Sequence, residues 1–317
     1  MGHSLGLGTS IIKGLENSSR FTPSSLSPLV WIETGISSGG IIDVNTGIAN
    51  TGYTITSKAE FSDMNFTNGS KTLTRTGGVL SFFNDVYAFG FNTGGDSTYF
   101  GKISNASGTG CDVANQWDRE SITDNTGILR CLKVTTMKDL SGNSLDFTQG
   151  TLNAKPYIAS TGLKFNGSNL LQRTNISTRA GNDASILIIG NFLDDTTGVA
   201  LVGDNGGTTT AFGTTASSVI LARIGSSNNS SGVSASTETL YQLIVTDGGS
   251  DEQKFYVNSN SVTATTEGTS AQWNIGEIGG MNSGTRLTGL FNVMLLFDGQ
   301  LSQTDINNLF NYYNNKY

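Results

Sequence analysis

From residue 134 onward, apolar and polar positions alternate in short runs broken by Gly, Asn and Asp. Leu163 and Phe165 flank Lys164, so they share one face of a strand that stops at Asn166-Gly167. Ala184–Phe192, Val199–Gly203, Ser218–Arg223, Leu240–Thr246, Lys254–Asn258, Ser261–Ala264, Ile275–Gly280 and Gly289–Phe297 read as further strands of similar length. Ala184–Phe192 is apolar enough to be central. After Gly299 the period changes. Ser302 is a helix N-cap with Asp305 in the first turn, and Ile306, Leu309, Phe310 and Tyr313 follow helical spacing. The pattern predicts an all-β sandwich with one short C-terminal helix packed on it.

The stretch Asp139–Leu171 is the densest in turn residues. It carries Asp139-Leu140-Ser141-Gly142-Asn143, then Phe147, Gly150, Pro156-Tyr157 and Gly162-Leu163-Lys164-Phe165-Asn166-Gly167-Ser168. Upstream lies Leu26-Ser27-Pro28-Leu29-Val30-Trp31. Together with the strand-then-helix ending, these motifs resemble concanavalin-A-like (laminin-G-like) jelly-roll domains of bacteriophage and bacterial surface proteins. The resemblance covers residues 21–37 and 134–317 and implies a jelly-roll sandwich. It implies no single function, because such sandwiches serve as lectins, hydrolases and passive structural parts.

The expected organisation has three parts. Residues 1–20 form an arm whose apolar Leu5, Leu7, Ile11 and Ile12 are assembly contacts. Residues 21–37 and 134–317 form the sandwich. Residues 38–133 form an inserted smaller β unit, with strands at Ile41–Val44, Tyr53–Thr56, Thr72–Thr74 and Val86–Phe91. Within it Tyr87, Phe89 and Phe91 share a strand face. That stripe is read as the core of the inserted unit, or as a platform for a sugar or a neighbouring subunit.

Composition narrows the function classes. The net charge is −7 and the 18 Lys and Arg are scattered, which argues against a nucleic-acid binder. The longest apolar runs are strand-length, so no membrane insertion is expected. The N-terminus has no signal-peptide pattern, and synthesis in a cytosol is expected. Cys111 and Cys131 are read as two buried thiols or as a single bridge.

Catalytic signatures are missing from the motifs. There is no strand carrying Glu-x-Asp-x-Glu, no Gly-x-Ser-x-Gly elbow and no phosphate loop, and Glu277 stands between glycines. The one histidine, His3, lies in the arm. The expectation is a protein that is not an enzyme and needs no cofactor. Asp194, Asp195, Asp204 and Asn205 are candidate calcium ligands, or simply turn residues. Trp273 and Tyr241 are candidate sugar-stacking rings at the sandwich rim.

These features lead to an expected function. The chain is read as a virion structural protein of a tailed bacteriophage: a fibre, decoration, collar or tail-associated subunit. It would assemble in the host cytoplasm with other virion proteins, as a homo-oligomer. A carbohydrate-binding module for host surface glycans is the alternative. A polysaccharide-degrading enzyme is the third reading.

Overall fold

The computed structural model describes residues 21–34, 54–66, 72–75, 77, 80–92, 97–116, 125–160, 162–178, 183–194, 198–225, 227–248, 252–267, 271–282 and 284–317. The arm residues Leu5, Leu7, Ile11 and Ile12, the expected strand at 41–44 and Asp195 lie outside the described residues.

Strand β1 (Val30–Glu33) comes first, followed by β2 (Thr54–Phe66), β3 (Thr72–Arg75), β4 (Tyr87–Asn92), β5 (Ser97–Ser104), β6 (Gly110–Gln116) and β7 (Asn125–Met137). Next come β8 (Phe147–Thr148), β9 (Tyr157–Ala159), β10 (Gly162–Asn166), β11 (Leu171–Ser177), β12 (Ala184–Phe192), β13 (Ala200–Gly203) and β14 (Thr210–Thr214). The chain continues through β15 (Val219–Ile224), β16 (Ser227–Ser234), β17 (Leu240–Asp247), β18 (Glu252–Val257), β19 (Ala264–Glu267) and β20 (Asn274–Ile278). A small hairpin, β21 (Gly280–Met281) and β22 (Thr285–Arg286), precedes β23 (Thr288–Phe297) and helix α1 (Gln303–Asn314).

Two antiparallel layers make the sandwich, as the alternation predicts. In the first, β19, β18, β17, β12 and β23 pair in that order. The far side of β23 is shared by β1 and β10, and β9 pairs with β10. In the second layer the order is β8, β11, β20, β13, β14, β15, β16. Their facing side chains form one core, with Ile186, Ile188, Leu243, Val245, Phe291 and Met294 from the first layer against Ile275, Ile278, Val202 and Phe212 from the second.

β12 is buried at all nine positions because both of its faces are covered. Leu187 and Ile189 point away from the sandwich core and meet Ile306, Leu309, Phe310 and Tyr313 of α1. Each fully buried large apolar side chain contributes about 2 kcal/mol, which holds a helix too short to stand alone. Ser302 caps it as the sequence predicts, its Oγ accepting the Asp305 N–H.

The strands between 54 and 137 close on themselves. β2 pairs with β3, β3 with β6, β6 with β5, β5 with β4, β4 with β7, and β7 with β2. This is a six-stranded antiparallel barrel, filled by Met64, Leu73, Ile103, Val113, Leu129 and the two thiols Cys111 and Cys131. β7 also pairs with β8 and β9, so it crosses the expected boundary at 133/134 and belongs to barrel and sandwich alike.

The described part of the aromatic stripe fills neither the barrel nor an exposed platform. Ala88 points into the barrel. Tyr87 and Phe89, on the opposite face of β4, pack against the sandwich core.

Candidate functional site

Barrel and sandwich leave a cleft of about 1050 Å³ between them. One wall is the barrel turn Phe82–Asp85 together with Asn105, and the other is the outer face of β10, β12 and β23. Lys316 and Tyr317, just past α1, close one end.

Strand alternation explains which side chains reach it. Leu163 and Phe165 enter the core, so Lys164 between them faces the cleft. On β23 the register against β12 slips between Ile189 and Gly190, leaving Asn292 opposite no residue of β12. A bulge of this kind re-aims a side chain, and here Asn292 lines the cleft. Asn191 of β12 faces the same space, with its Oδ1 accepting the Leu290 N–H at 2.8 Å.

Lys164 occupies the middle. Its Nζ donates to the Asn84 carbonyl at 2.9 Å and sits 5.0 Å from the centre of the Phe82 ring. Burial holds the ammonium below its ordinary pKa, against the attraction of Asp85 and Glu238. Asp85 takes Lys102 Nζ at 3.1 Å and the Ser160 hydroxyl at 3.4 Å on the same oxygen. Asp85, Asn105 and Glu238 all carry left-handed backbone, with φ of 69°, 50° and 65°. That conformation is unusual for a glutamate, and such residues gather at functional sites.

The end wall is tied down from within. Glu33 is buried, and its carboxylate accepts the Trp31 indole N–H at 2.8 Å and the Tyr313 and Tyr317 hydroxyls at 3.3 and 3.4 Å. It also pairs with the Lys316 ammonium.

The residues singled out from the sequence lie elsewhere. Trp273 is 1% exposed, its ring 5.2 Å from that of Phe212 in the core. Tyr241 is 5% exposed, packs near Phe192 and accepts the Ser236 N–H at 2.7 Å. Neither ring faces solvent, so the rim-stacking expectation is corrected. Tyr241 sits at an inward position of β17, and Trp273, just before β20, turns into the same core.

Of the candidate calcium ligands, Asp204 and Asn205 have partners within the fold. Asp204 is buried, and its oxygens take Asn175 Nδ2 at 2.6 Å and the Thr209 hydroxyl at 2.7 Å. Asn205 donates to the Arg173 carbonyl at 2.6 Å, and Asp194 is exposed. These groups pin the turn after β13. Among the described residues no three His, Cys, Asp or Glu side chains gather as a metal site.

Sequence reasoning missed the cleft because it is assembled from barrel and sandwich, over residues 81 to 317. Asn84-Asp85 was legible as a turn pair, but left-handed backbone at Glu238 has no sequence signal.

No protein-family model and no curated protein matches the chain. Solved structures do resemble it. Trypanosoma rangeli sialidase is 13% identical with a TM-score of 0.42, over 56% of this chain and 30% of that one. A GH54 α-L-arabinofuranosidase is 13% identical with a TM-score of 0.44, over 80% of this chain and 61% of that one. The binding domain of Paraclostridial Mosquitocidal Protein 1 is 13% identical with a TM-score of 0.40, over 56% and 49%. The chain thus spans less than a third of the sialidase and under two thirds of the arabinofuranosidase. Two of the three are glycoside hydrolases, and with that finding the expectation of a non-enzyme is withdrawn. At these scores the likeness assigns no activity.

Proposed function

We propose that the chain is a carbohydrate-binding surface protein whose glycan lies in the cleft between barrel and sandwich. The supporting observation is the convergence of Asn84, Lys164, Asn191 and Asn292 beside the Phe82 ring in one open concavity. Amides and an ammonium suit sugar hydroxyls, and a ring suits an apolar sugar face. The volume matches the order of a few hundred to 1,000 Å³ of small-ligand sites. The test is a glycan array followed by calorimetry on the wild type, Lys164→Met and Asn84→Ala. Binding that both variants weaken at least tenfold supports the reading. A glycan bound equally by all three, or no glycan bound at all, sinks it.

A second reading can coexist with the first: a structural subunit of a tailed bacteriophage particle. It rests on the Asp139–Leu171 motif and on the Gly-rich, charge-poor composition. Mass spectrometry and imaging of purified particles would test it, since the protein must appear there as ordered copies.

A further inference from the structure

Where barrel and sandwich meet, a lysine and a glutamate face each other away from the cleft. Lys133 of β7 has a side chain with no exposure to solvent, and that of Glu60 of β2 is 9% exposed. Lys133 Nζ stands 3.8 Å from Glu60 Oε1. Regular pairing sets Lys133 opposite Thr56, four residues before Glu60. The register slips between Ala59 and Phe61, so Glu60 is the extra residue of a bulge, the device that re-aims a side chain.

The surroundings are arranged around the carboxyl group. The Tyr157 hydroxyl donates to Oε1 at 2.9 Å, and Lys58 Nζ donates to Oε2 at 2.9 Å. The Tyr157 ring lies 3.9 Å beneath Lys133 Nζ. The Lys155 and Asn153 carbonyls hold the same nitrogen at 2.9 and 3.4 Å. Burial lowers the Lys133 pKa to about 8, although Glu60 pulls the other way, so the uncharged amine is accessible.

We propose that Lys133 and Glu60 form an intramolecular amide (isopeptide) bond that stitches β7 to β2. Within the pair a proton passes from Nζ to the carboxylate, giving amine and acid. Nζ then adds to Cδ. Tyr157 donates to one carboxyl oxygen and Lys58 to the other, so one donor holds the oxyanion that develops and the other holds the oxygen that departs. The C–O bond breaks, and the oxygen leaves as water with two hydrogens that began on Nζ. Ammonium plus carboxylate gives amide plus water, with no oxidant, reductant or other reagent.

The test is the intact mass of the purified, folded chain. The expected value is lower than the sequence mass by one water, and a branched peptide joining the segments around residues 60 and 133 should be recovered. Lys133→Met and Glu60→Ala should each restore the full mass. Tyr157→Phe should leave a mixture of linked and unlinked chains. A folded wild type at the full sequence mass overturns the proposal. So does a one-water loss that maps to a succinimide at Asp247-Gly248 or Asp298-Gly299 instead. The wild-type mass decides the question even where a variant does not fold.

Discussion

The backbone N–H of Trp31 donates to Oδ1 of Asp139 at 3.0 Å, joining residues 108 apart in sequence. The same carboxylate takes the N–H groups of Ser141 and Leu145 at 3.0 Å each. Asn143 and Ser141 reach back to the Leu29 carbonyl at 2.9 and 3.3 Å. One turn therefore seats the first strand of the sandwich. Burial alone would raise the Asp139 pKa, but the N–H donors of Trp31, Leu145 and Ser141 outweigh it and the pKa falls. A carboxylate with a lowered folded pKa stabilises above its unfolded value and loses that contribution as pH falls through the folded one. Asp139→Asn should cost about 2 kcal/mol at neutral pH, and the gap should narrow below about pH 4. Urea titrations of both proteins across that range check it, and a gap independent of pH refutes the assignment.

Glu33 gathers donors from β1, from α1 and from the segment after it. Glu33→Ala should cost about 3 kcal/mol, the order expected when one partner of a buried ion pair is removed. Hydrogen exchange should rise in α1 and at residues 315–317 before it rises in the barrel. Uniform loosening of both units would contradict the local role.

Gly190 lies at the register slip between β12 and β23. A Cβ there would meet the Leu290 carbonyl oxygen at 2.5 Å and Leu201 Cδ2 at 2.9 Å. Gly190→Ala should destabilise by more than about 2 kcal/mol, because backbone oxygen on a central strand cannot step aside. Thermal melts of the variant decide this, and a melting temperature equal to the wild type's would be the contrary result.

Burial pushes the Cys111 thiol up to about 11, and nearby Asp112 adds to the shift. A group whose folded pKa is raised stabilises below its unfolded pKa, and that contribution is lost as pH rises to the folded one. By about pH 10.5 the wild type should have lost on the order of 2 kcal/mol relative to Cys111→Ala. Denaturation at pH 8 and pH 10.5 reads the difference. A thiol reagent should label the native protein slowly at pH 8, since both thiols are buried.

Much of the sandwich was legible because its signal is local. The pairs Leu163/Phe165 and Ile186/Ile188 alternate along one strand and enter one core. Ile306, Leu309, Phe310 and Tyr313 repeat with helical period and line one buried face. The barrel was harder to read. Its closure depends on β3 meeting β6 and β7 meeting β2, and sequence pattern carries no record of which strand is a neighbour. The rings were misjudged for a related reason. Trp273 and Tyr241 look amphipathic by type, but their exposure is set by what lies across the sheet. The cleft depends on that closure, since it lies where the closed barrel meets the outer face of β10 and β23.

The two units also differ in when a growing chain can complete them. All six barrel strands have been synthesised once residue 137 has emerged. The first sandwich layer lacks β23, the partner of β1, β10 and β12, until residues 288–297 arrive. On the ribosome the barrel can therefore close early, from contacts within its own segment. Val30–Glu33 must wait for its strand partner until residues 288–297 have been made, and that waiting edge is where nascent-chain association would begin.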